Sequence, residues 1–114
     1  MTRLVQRLQE LADDLSAADV PASLERSKVR TPGAWVTPQQ LEVTTLSGSV
    51  AARVDVILVV GDTGEGHALA ALDLLLDKVL DLGLALTEPV DTAYGLTLTG
   101  SPLPAFRVPV ELDL

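Results

Sequence analysis

The stretch RVDVILVVGDTGEGHALAALDLLLDKVLDL, Arg53 to Leu82, decides the fold. Val54, Val56, Leu58 and Val60 alternate with Arg53, Asp55, Ile57 and Val59. This two-residue period, rich in β-branched side chains, predicts a strand with one apolar face throughout and a second face that changes from charged to apolar along its length. The glycine-punctuated loop Gly61–Gly66 follows, and then a predicted helix of about four turns from Gly66 to Leu82, with Gly83 placed to end it. The charged residues of that helix are Asp73, Asp77, Asp81 and Lys78. The three aspartates fall at i, i+4 and i+8 and form one narrow stripe. Like charges at this spacing cost a few tenths of a kcal/mol each, so the stripe does not serve helix stability. Leu69, Leu72, Leu74, Leu75, Leu76, Val79, Leu80 and Leu82 make the rest of the helix apolar. A strand apolar on both faces and a helix apolar on more than one side need cover. The rest of the chain is expected to supply part of it and other copies of the chain more.

Toward the N-terminus, Leu4, Leu8, Leu11, Leu15 and Ala18 recur at helical spacing, with Arg3, Arg7, Glu10, Asp13 and Asp14 off the stripe. They predict a helix over 3–18, capped by Thr2 and ended at Asp19-Val20-Pro21, because the residue before proline avoids the α region. Residues 21–33 are polar and broken by Pro21, Pro32 and Gly33. They read as a solvated connection or a short edge strand. Gly33–Thr37 reads as a strand ending at Pro38, Leu41–Thr45 as another, and Ser47-Gly48-Ser49 as the turn of a hairpin leading into the strand that closes at Val60. Beyond the helix, Thr92–Leu98 predicts a strand, and Phe106, Val108, Val110 and Leu112 alternate with Arg107, Pro109, Glu111 and Asp113 in a last one. Pro109 has no N–H, which points to a sheet edge or a bulge there.

The resulting order is α-β-β-β-α-β-β. One strand–helix–strand crossover joining parallel strands, flanked by two antiparallel hairpins, gives an α+β fold. The expected architecture is a two-layer sandwich, a mixed sheet of about five strands with both helices on one face, in a single domain over residues 1–114.

The net charge is −8, yet mean hydropathy is +0.34 and 47% of residues are hydrophobic. A chain of 114 residues has much surface per residue, so apolar content this high in a charged chain points to a partner surface. The acidity argues against a phosphate-binding nucleic-acid face. No cysteine is present, so neither disulfides nor thiolate metal sites arise. The opening MTRLVQRLQE is amphipathic and charged, which predicts no signal peptide, and no run is apolar for long enough to predict a membrane span.

The candidate chemistry is sparse. GDTGEGH lies between a strand and a helix, where phosphate loops occur, but its glycines miss the dinucleotide spacing, it has no lysine, and Asp62 and Glu65 repel phosphate. His67 stands beside these two carboxylates without a second histidine or a cysteine to share a metal. Ser47 and Ser49 lack a nucleophile-elbow pattern. No catalytic, cofactor or metal residue is therefore expected. Arg26, Lys28 and Arg30, which with Arg53 make half of the eight basic residues, stand out in an acidic chain. They read as a solvated stretch or as a contact for an acidic neighbour. Trp35, the one tryptophan, is either core or an interface anchor.

Several of these segments together carry a family resemblance. They are the opening helix ending at Val20-Pro21, PGAWVTP (Pro32–Pro38), RVDVILVVG (Arg53–Gly61), the leucine-rich helix after it, and LPAFRVPVEL (Leu103–Leu112). In order and size the chain resembles the tail-terminator, or tail-completion, proteins of long-tailed non-contractile bacteriophages, especially those of actinobacteria. The resemblance implies a structural virion protein, not an enzyme, that forms a ring, usually of six. The ring caps the tail tube, ends its polymerisation and joins it to the head-completion proteins, at the head-proximal end of a tail assembled in the host cytoplasm. DNA passes through its centre, and the family has no active-site residues to carry over. The Ser47–Ser49 turn is shorter than the long loop of some members, which bears on which surface grips the tube. Six copies at −8 each carry about −48, and an acidic lumen lets DNA slide without sticking. Asp73, Asp77 and Asp81, or Asp62 and Glu65, are the lumen candidates; Trp35, Arg26, Lys28 and Arg30 are the interface candidates. A neck or head-completion adaptor is the alternative. A small ligand-binding or enzymatic domain using the Gly61–His67 loop is a second one.

Overall fold

In a computed structural model of the chain, residues 2–44, 49–61, 64–98, 100 and 102–113 are described. Of Thr2, Arg3, Glu42, Val43, Thr44, Ser49 and Glu65 the backbone alone is described. The fold is α+β: two helices and a six-stranded mixed sheet. Helix α1 spans Thr2–Ala17, β1 Ala22–Ser23, β2 Gly33–Thr44, β3 Ser49–Val59, α2 Glu65–Leu80, β4 Ala85–Leu86, β5 Asp91–Leu96 and β6 Leu103–Asp113, with a short 3-10 turn at Arg26–Lys28. The sheet order is β1-β2-β3-β6-β4, and β5 also pairs with β6.

Strand β3 has the two faces expected of it. Val54, Val56, Leu58 and Val60 join Ala34 and Val36 of β2 and Phe106, Val108, Val110 and Leu112 of β6 in the main core. Leu8, Leu11, Ala12 and Leu15 of α1 and Ala68, Leu72, Leu75 and Val79 of α2 pack on that same core, so both helices cover one face of the sheet. Burying each of these aliphatic side chains contributes about 1.5–3 kcal/mol to folding. On the second face Ile57, Val59, Leu96 and Ala105 form a smaller cluster, flanked by Trp35, Tyr94 and Val29.

Two expectations are corrected and a third is made more specific. Pro38 does not end a strand: β2 runs through it, and a register shift between Pro38 and Gln40 takes up the irregularity while pairing with β3 continues from Gly33↔Val59 to Thr44↔Ser49. A bulge lets proline sit in a strand whose outer edge is unpaired at that point. The two predicted strands 33–37 and 41–45 are thus one, and the two-residue strands β1 and β4 bring the total to six. Secondly, α2 joins parallel strands as expected, but the two, β3 and β5, are not neighbours. Both run antiparallel to β6, so α2 connects two strands of the same direction with β6 inserted between them. The parallel pair of the sheet is instead β1 with β2. Thirdly, Pro109 lies on a central strand, paired in register with Asp55 and buried. Of the turn expected at Ser47-Gly48-Ser49, Ser47 and Gly48 lie outside the described residues, and Ser49 is already the first residue of β3.

The helix ends follow local rules. Asp19 takes a left-handed conformation (φ 67°), and the amide of Val20 donates to the Leu15 carbonyl at 2.8 Å, closing α1 two residues before proline is reached. Gly83 (φ 72°) ends α2 in the same way. At Gly33 there is no room for a side chain: a Cβ there would stand 2.8 Å from the Pro21 carbonyl oxygen and collide with that of Arg30. The 21–31 segment is thereby held tight against the start of β2. The Thr31–Pro32 peptide is cis.

Candidate functional site

Helix α2 turns an unusual face outward. At 100° per residue, Ala68, Leu72, Leu75 and Val79 face the core, and Asp73, Asp77 and Asp81 run along the opposite side. Leu69 and Leu80 flank the aspartates on one side and Leu74 on the other. These leucines are 54%, 45% and 59% exposed, more than a folded side chain of this kind ordinarily is. Lys78 does not neutralise the stripe. Its Nζ lies 3.2 Å from Asp19 Oδ2, which ties the last turn of α2 to the residue just past the end of α1. Among the described residues the three aspartates form no ion pair.

The basic residues lie on the other side of the sheet. Trp35, half-buried on β2, donates from Nε1 to the Leu24 carbonyl at 3.1 Å, and the Arg26 guanidinium stands 6.0 Å from its ring centroid. Indole and 3-10 turn are so fixed to each other. Trp35 belongs to the edge of the second-face cluster, between the two roles expected of it. Arg26, Lys28 and Arg30 are exposed. Lys28 meets Glu25 at 3.6 Å across solvent, a pair of little energetic weight. Arg26 and Arg30 form no ion pair among the described residues. They rim a cleft of about 490 Å³ floored by Val29, Leu98 and Leu103.

The sequence reading passed over one cluster. Asp55, with 8% of its side chain exposed, receives Arg107 Nη1 at 3.3 and 3.4 Å, and Glu88 lies 3.6 Å from Nη2 of the same guanidinium. Asp55 and Arg107 sit on adjacent strands in diagonal register, Asp55 opposite Pro109 and Arg107 opposite Ile57. The Asp55 carboxylate, assisted by Glu88 and Asp91, raises the Arg107 pKa above its ordinary value against the effect of burial. The signal available in the sequence was one acid and one base, each on the strand face that alternates with the core-facing residues. Proton transfer needs a group that can change charge near neutrality, and a guanidinium held further from titration does not. The cluster locks β3 to β6.

The Gly61–His67 loop gathers little. His67 is exposed, Asp62 lies outside the described residues, and so does the side chain of Glu65. Among the described residues no three His, Asp or Glu side chains group as a metal site. A second cleft of about 380 Å³ opens between α2 and the β5–β6 hairpin, lined by Leu69, Leu72, Tyr94 and Phe106 among others and by no charged side chain. Among the described residues no helix is long and apolar enough to cross a membrane. No family model, no curated protein and no solved structure matches this chain.

Proposed function

We propose that the chain is a structural ring subunit of a phage tail, a tail terminator that caps the tube and joins it to the head-completion proteins. The observation that carries this reading is the outer face of α2, where Leu69, Leu74 and Leu80 stay exposed in a domain that already has a complete core. A folded monomer gains little from the exposed half of these leucines; an assembly would bury it. The element-by-element likeness of the sequence to the tail-terminator family supplies the kind of assembly. The formal charge of −8 per chain suits a ring through which DNA passes without being held.

The test is the mass of the purified protein over a concentration series, with negative-stain images of the same samples, alone and mixed with tail tubes. Closed rings with a central hole wide enough for duplex DNA, about 20 Å or more, are expected, as is binding to tube ends. A protein that stays monomeric in both settings, or that binds neck proteins and never tubes, overturns the reading.

A further inference from the structure

The acidic leucine face of α2 and the basic apolar cleft lie in different layers of the molecule. Helix α2 covers the core face of the sheet, whereas Arg26, Val29, Arg30, Leu98 and Leu103 surround the cleft by the second-face cluster. The two surfaces complement each other in both polarity and charge. One projects exposed leucines beside Asp73, Asp77 and Asp81; the other offers an apolar floor between two arginines that have no acidic partner among the described residues. A single molecule cannot bring them together, because its own sheet stands between them.

We propose that the α2 face of one copy docks into the Arg26–Arg30 cleft of the next. This rests on the ring reading above and names the junction it needs. The leucines enter the cleft and the aspartates meet the guanidinium groups at its rim, where planar forks grip carboxylates from two sides. Trp35 backs the cleft by holding Arg26 and Leu24 in place. Since the two surfaces differ, the contact is head-to-tail: each copy retains one unused surface after the first contact, so association continues until a ring closes or a filament grows. A separate consequence is that the aspartate stripe is covered at the junctions and does not line the lumen.

The test uses charge reversal in the full chain. Asp73→Lys with Asp77→Lys spoils the helix face and leaves the cleft; Arg26→Glu with Arg30→Glu spoils the cleft and leaves the helix face. All four positions are exposed, so folding is expected to persist, and circular dichroism checks it. Each double variant alone should sediment as a 12.0 kDa monomer, with assembly weakened on the order of a hundredfold. An equimolar mixture of the two should assemble again with the two variants alternating, since the native aspartate face of one meets the native cleft of the other and the reversed face meets the reversed cleft. The chain carrying all four reversals should assemble again. Wild-type assembly with unchanged mass in both double variants overturns this junction and leaves the ring reading standing. Open filaments that obey the reversal and rescue pattern support the junction and overturn the ring. A wild-type protein that stays monomeric at every concentration overturns the junction.

Discussion

Helices α1 and α2 are each 16 residues long and lie on the same face of the same sheet, yet they are built on different plans. In α1 the buried side chains form one stripe, Leu8, Leu11, Ala12 and Leu15, and the outward side is largely polar, with Val5 its one large exposed hydrophobic. In α2 the buried stripe of Ala68, Leu72, Leu75 and Val79 does the same work, but three further leucines face away from it. The difference separates two uses of apolar side chains. Those on the inner stripes hold the domain together, and those on the outer face of α2 leave about half of their surface in solvent. Hydrophobicity alone does not distinguish them; position around the helix does.

The comparison breaks most plainly at the inner stripe. Leu15 is fully buried, and Leu15→Ala is expected to lower the unfolding free energy by about 3–4 kcal/mol, through lost transfer energy and the cavity left behind. Urea unfolding at a fixed protein concentration measures it, concentration being held because the proposed assembly would add to apparent stability. Next in size is the far side of the sheet, where a charged pair stands in place of an apolar contact. Arg107→Met leaves the Asp55 carboxylate buried without its partner and is expected to cost about 3 kcal/mol, while joint replacement of Asp55 and Arg107 by apolar residues restores most of it. The sign of the pH dependence follows from the raised Arg107 pKa. A cation whose folded pKa exceeds its unfolded one stabilises below the unfolded value and loses that contribution only as pH rises through the folded value. The deficit of Arg107→Met relative to wild type should therefore hold steady from neutrality upward through the lysine range, and a decline within it would show that the pair does not act as described. The smallest effect on folding is the sharpest test of the comparison. Leu74→Ser should change the unfolding free energy by no more than about 0.5 kcal/mol, while lowering the self-association seen by sedimentation. A loss comparable to that of Leu15→Ala would mean that the outer face belongs to the fold after all.

Much of this architecture was legible in the sequence because it is local. The alternation in β3, the leucine spacing of α1 and α2, and Gly83 as a terminator each lie within one turn or one strand. What was not legible is what distant segments decide together. Pro38 looked like a stop because its neighbours in sequence cannot reveal that a bulge and a long antiparallel partner carry the strand past it. The insertion of β6 between β3 and β5 is a choice among pairings that all satisfy the same alternation. β1 and β4 are two residues each and too short for any periodicity to register. At the candidate surfaces, the acidic stripe and the cluster of three basic residues were visible as spacing. The apolar floor between Arg26 and Arg30 was not, because Leu98 and Leu103 come to it from some seventy residues away. Asp55 and Arg107 were likewise unreadable as a pair until the register of β3 and β6 was known.

The position of β6 also sets the order of events in time. It is the last strand of the described chain to be synthesised, yet it lies at the centre of the sheet, between β3 on one side and β4 and β5 on the other. Until it emerges from the ribosome, the β2–β3 hairpin, β4 and β5 are not joined into one sheet, and the inner stripe of α2 lacks Phe106, Val108 and Val110 beneath it. Contacts this far apart in sequence slow folding. The domain thus remains unfinished until β6 is in place, and both surfaces of the proposed junction become presentable only then. Timing of that kind would keep incomplete domains out of the proposed assembly.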